Sequence, residues 1–110
     1  MRDVAPDFCR FVYEFPFADI YTRPGLDLKS RQLVTVSILA ALGNAAPQLK
    51  AHLFGSLNVG LTRKQLIETL LQVSVYAGFP AALNALKVAR EVFAELDSKK
   101  PAVPKRSRKS

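Results

Sequence analysis

Residues 47–86 read PQLKAHLFGSLNVGLTRKQLIETLLQVSVYAGFPAALNAL, and their punctuation decides the fold. Gly60-Leu61-Thr62 and Gly78-Phe79-Pro80 cut the stretch into three apolar-periodic segments, each long enough for a helix and bounded by helix signals. Proline suits a first helical turn, where its missing N–H has no partner, and glycine suits the left-handed position just past a helix end. The spacing therefore predicts one helix from Pro47 to Gly60, a second capped by Thr62, and a third restarting at Pro80 and running to 97. Thr62 and Gln65 stand three apart, the spacing of a capping box. The first helix carries Leu49, Leu53 and Leu57 as a stripe, with His52 and Ser56 beside it as helical neighbours. The second carries Leu66, Ile67, Leu70, Leu71, Val73 and Val75 against a polar line of Gln65, Glu68, Gln72 and Tyr76. The third is expected to bury Leu83, Leu86, Val88, Ala89, Val92, Phe93 and Leu96.

Upstream, Asp27 caps a predicted helix over 28–42 that Gly43 ends. Its interior, LVTVSILAAL, is apolar nearly all round. A short chain has little interior in which to bury a helix on every side, so this helix points to a subunit interface and an obligate oligomer. Residues 6–21, PDFCRFVYEFPFADIY, place Phe8, Phe11, Val12, Phe15 and Phe17 at roughly helical spacing until Pro16 interrupts them. One short helix, with room for a second turn after it, docked by its aromatics, is expected there. With no strand pair and no repeat, the fold class is all-α, five or six short helices.

The 110 residues are nearly half apolar, which suits one packed domain and excludes global disorder. The formal charge of +7 is concentrated at one end: residues 98–110 hold six cations and no acid, leaving residues 1–97 at +1. Residues 1–97 are thus read as a single helical domain and 98–110 as a disordered basic tail. Without interleaved aromatics to stack bases, the tail is read as a solubilising end rather than a nucleic-acid arm. A single cysteine, Cys9, excludes an intrachain disulfide and fits a reducing compartment. No apolar run reaches membrane-spanning length and the charged start lacks a leader's apolar centre, so a cytoplasmic protein with no membrane partner is expected.

Few residues can carry chemistry. There is no glycine-rich phosphate loop, no serine elbow and no second His or Cys for a metal site. His52, Glu68, Arg31, Arg23 and Tyr76 remain. A His and a Glu on successive helices form a proton-transfer pair if those helices pack antiparallel. The alternative, a packing histidine and a solvated glutamate, stays open on residue chemistry alone.

The segments RPGLDLKSRQLVTVSILAALG, AHLFGSLNVGLT and IETLLQVSVYAGFPAALNALKVAREVF together resemble the carboxymuconolactone decarboxylase family, over residues 23–93. The resemblance implies the helical fold shared with alkylhydroperoxidase D, assembled as a trimer or hexamer. The antioxidant branch of that family has a C-x-x-C pair just before its histidine, where this chain has Asn44-Ala45-Ala46-Pro47. A dithiol peroxidase needs an attacking and a resolving sulfur, so that activity is not expected. The cysteine-free branch converts 4-carboxymuconolactone to the enol-lactone of 3-oxoadipate, in aromatic catabolism, without a cofactor or metal. On that resemblance, His52 takes the proton or oxyanion role and Glu68 orients or protonates it. Arg31, Arg23 and Tyr76 bind a small carboxylate or lactone substrate. Gln32, Gln48 and Gln65 stand where relatives commonly have Glu, and amides do not transfer protons near neutral pH. Another small acid as substrate, or a non-catalytic oligomer, stays open beside this reading.

Overall fold

Pro6 opens the first helix, α1 (Pro6–Tyr13), which runs straight into a π-helical segment, Glu14–Ile20. Pro16 was expected to interrupt the helical pattern: the α-helix does end before it, at Tyr13, and the wider π turn carries the chain past it. Pro16 has no N–H to give, but its carbonyl accepts from Tyr21 N five residues on, at 2.8 Å. The computed structural model describes residues 2–99. The basic tail from residue 100 onward lies outside those residues.

The aromatics of this N-terminal arm do not dock on the helices of their own protomer, contrary to expectation. Phe8, Phe11, Tyr13 and Phe15 are all more than half exposed. The rings line up on one another, Tyr13–Phe17 at 6.0 Å and Phe17–Tyr21 at 5.3 Å between centroids. A hydrogen bond between the hydroxyls of Tyr21 and Thr35 ties the arm to the next helix. Cys9 sits half-buried in α1 as a free thiol.

Asp27 then caps α2 (Leu28–Leu42), its carboxylate accepting from Ser30 N at 2.7 Å, and Gly43 closes the helix in the left-handed region at φ 77°. The carboxylate is held below its ordinary range by that backbone N–H. Gln32, Val36 and Ala40, four apart, form the buried stripe of α2. Because the helix is apolar all round, a second stripe of Val34, Ile38 and Leu42 faces out, each at least half exposed.

Helix α3 (Ala46–Asn58) has Pro47 in its first turn and buries Leu49, Leu53 and Ser56. Helix α4 (Arg63–Ala77) starts at the predicted capping box: Thr62 Oγ1 accepts from Gln65 N at 3.0 Å, and Gln65 Oε1 accepts from Thr62 N at 2.8 Å. Gly78 alone connects α4 to α5 (Phe79–Ser98), at φ 96° and ψ 157°, a conformation costly for any residue with a Cβ. The inner side of α5 is Ala82, Ala85, Ala89 and Val92. Leu83, expected inside, points out, because this small-residue stripe sets the phase of the helix and lets its neighbours come close.

No strand occurs among the described residues, and the chain is all-α. Helices α3 and α4 each pack on both α2 and α5 rather than closely on each other. The centre holds Val36, Leu53, Leu66, Leu70 and Val92, fully buried. Burial of such a side chain contributes about 2 kcal/mol. At the rim, Lys50 of α3 pairs with Glu95 of α5, and Arg63 of α4 pairs with Asp97 of α5 while lying over the Phe93 ring at 4.9 Å. No helix among the described residues is long and apolar enough to cross a membrane.

Candidate active site

The polar interior is small. Among the described residues the buried polar side chains are Gln32 on α2 and Ser56 on α3, and His52 lies half-buried beside them. Gln32 belongs to the stripe that α2 turns toward α3, and His52 and Ser56 are one turn apart on α3, so packing these two helices brings all three together.

His52 Nδ1 is 3.1 Å from Gln32 Oε1. Ser56 Oγ donates to the His52 carbonyl at 2.6 Å and stands 3.5 Å from the same amide oxygen. The hydroxyl thus spends its one proton on its own helix, and the amide oxygen of Gln32 is left facing the imidazole Nδ1. A Cβ placed at Gly55 would lie 3.5 Å from the amide Nε2, an ordinary contact. Burial holds the His52 imidazole below its ordinary value, with no carboxylate countering it. At neutral pH the ring is a neutral base.

The other sequence candidates fall in two places. Arg31, next to Gln32, donates from Nη2 to the Arg23 carbonyl at 3.0 Å, so the two arginines meet where the loop enters α2. The Nε of Arg31 is buried with no hydrogen-bond partner among the described residues. An N–H left unsatisfied in this way suits an incoming anion. Glu68 and Tyr76 lie on the solvent face of α4, Tyr76 almost wholly exposed, and no hydrogen bond joins Glu68 to His52 within the protomer. The antiparallel packing of successive helices that such a pair needs does not occur between α3 and α4. What sequence reasoning missed is the amide at Gln32 as the partner of His52. Its signal was a lone amide on the otherwise apolar stripe Gln32-Val36-Ala40. Among the described residues no three His, Cys, Asp or Glu side chains converge as a metal site requires.

The profile of the carboxymuconolactone decarboxylase family matches residues 6–91. The chain belongs to this family. As a family member it is 40% identical over 96 residues to a 4-carboxymuconolactone decarboxylase of Acinetobacter baylyi, covering 87% of this chain and 71% of the relative. It is 35% identical over 98 residues to a 15.0 kDa protein of Paracoccus denitrificans from the nqo9–nqo10 intergenic region, covering 88% and 73%. It is also 30% identical over 89 residues to a nitrosuccinic acid decarboxylase of Metarhizium robertsii, covering 80% and 61%. Two of these relatives are thus named as decarboxylases, which supports a decarboxylase-like family for this chain.

Proposed function

We propose that this family member is a cytoplasmic, cofactor-free carboxy-lyase that decarboxylates 4-carboxymuconolactone or a related small lactone acid in aromatic catabolism. The observation that carries the reading is His52, the chain's one imidazole, held half-buried and neutral against an amide in a chain similar to named decarboxylases.

The chemistry needs an electron sink, which an unsaturated lactone supplies itself. The bond between ring carbon and carboxylate breaks, carbon dioxide leaves, and the electron pair runs through the ring double bond to the lactone carbonyl oxygen. A proton that His52 Nε2 has taken from solvent then passes to the ring carbon next to that carbonyl, and the imidazole returns to neutral. Arg31, through its unspent N–H, and Arg23 beside it hold the remaining carboxylate.

The second reading is the same step on a nitro-substituted acid, with the nitro group as sink, which the Metarhizium relative favours. The purified chain given 4-carboxymuconolactone, and separately nitrosuccinate, tests both by released carbon dioxide. Turnover of the lactone supports the first reading and turnover of nitrosuccinate alone the second. Turnover of neither by folded protein overturns both.

Assembly belongs to this proposal. The exposed stripe of α2 and the bare aromatic arm are apolar surfaces that a homo-oligomer, trimer or hexamer, would cover. Glu68 and Tyr76, outward-facing in the protomer, would reach a site only across such an interface. Light scattering should return a mass three or six times that of one chain.

A further inference from the structure

His52 has two ring nitrogens, and only one can carry the proton in the neutral form. Its Nδ1 faces Gln32 Oε1, an acceptor with no proton to offer, and the neighbouring Ser56 hydroxyl is already committed to the His52 carbonyl. The proton of the neutral ring therefore belongs on Nδ1, and the lone pair on Nε2.

The residue on the far side of the hydrogen bond decides more than the tautomer. A carboxylate at position 32 would stabilise an imidazolium; an amide offers an oxygen but no charge. The charged side chains on the elements packed against α3 do not engage the ring. On α5, Glu95 pairs with Lys50, and Glu91 acts on that same lysine. On α2, Arg31 donates to the Arg23 carbonyl, and Lys29 extends its side chain to Gly60.

We propose that Gln32 is a positioning residue: its amide oxygen takes the Nδ1 proton of His52, fixes the neutral ring with Nε2 as the open proton acceptor, and withholds the charge that would turn it into a resting imidazolium. The inference rests on the decarboxylase reading for what Nε2 meets. Its test needs no substrate, so the two fail separately.

The single histidine makes the test direct, because every imidazole signal belongs to His52. Two-bond nitrogen–proton correlation spectra of labelled protein report the tautomer at about pH 7.5, above the ordinary imidazole value. The expected pattern is a protonated Nδ1 and a bare Nε2. Gln32→Glu, nearly isosteric, should raise the titration midpoint of the ring by about one pH unit or more, a tenfold gain in proton affinity. Gln32→Leu should release the tautomer toward the Nε2-protonated form that free imidazole side chains favour. Wild-type protein with its proton on Nε2 overturns the proposal without any variant. So does a folded Gln32→Glu protein whose midpoint does not move.

Discussion

Gln32 Oε1 and His52 Nδ1 meet at 3.1 Å across the contact of α2 with α3, joining an amide on a buried apolar stripe to the chain's one imidazole. Each residue explains the other. Without the ring N–H the amide oxygen would be buried with only a weak 3.5 Å contact to Ser56, and without the amide the ring would lose its orientation.

The burial of His52 has a consequence for stability. The unfolded chain holds an ordinary imidazole, with a value of about 6.5. The folded value is lower because burial disfavours the charged ring. Between the two, the unfolded chain binds more protons, so stability rises with pH across this window and is lost as pH falls through it. Urea midpoints measured from about pH 5 to 8 should show this slope, and His52→Asn should remove it.

The capping box predicts a local cost. Thr62→Ala leaves the Gln65 N–H in the first turn of α4 without its acceptor and should cost about 1 kcal/mol. On a domain of this size that corresponds to a drop of about 4–8 °C in melting temperature. Gln65→Ala removes only the return bond and should cost less.

Two leucine-class positions separate folding from assembly. Leu53→Ala opens a cavity at the fully buried centre and should cost about 2–5 kcal/mol. Ile38→Ser, on the exposed stripe of α2, should leave the protomer folded but lower the mass seen by light scattering. An unchanged assembly in Ile38→Ser would remove that stripe from the proposed interface.

Gly55 sits inside α3, where glycine is entropically costly. A Cβ there meets nothing closer than Gln32 Nε2 at 3.5 Å, an ordinary contact. Gly55→Ala should therefore stabilise the protein by about 0.5–1 kcal/mol in a denaturation experiment.

Most of the helical core was legible in the sequence because it is written in local chemistry. Asp27, Thr62, Gly43 and Gly78 each satisfy or end a helix through their own side chain or backbone, and those helix ends fall where expected. The N-terminal arm was misread because exposure is not local: the Phe8–Phe17 pattern looks like a buried face whether or not a partner surface exists. Pro16 marks the end of the α-helix, but the π turn that carries the chain past it, tolerating the missing N–H, leaves no composition signal. The site was half legible. His52 stood out as the single imidazole, but its partner depends on which stripe of an all-apolar helix turns inward. That choice is made by packing, and it selected Gln32 over the outward-facing Glu68.

The most direct test of the account is turnover of 4-carboxymuconolactone by the wild-type chain beside His52→Ala, followed as carbon dioxide release. Loss of a positioned proton donor should lower kcat by about 10²–10⁴-fold in a variant that remains folded. Equal turnover by the two proteins would contradict the role given to His52.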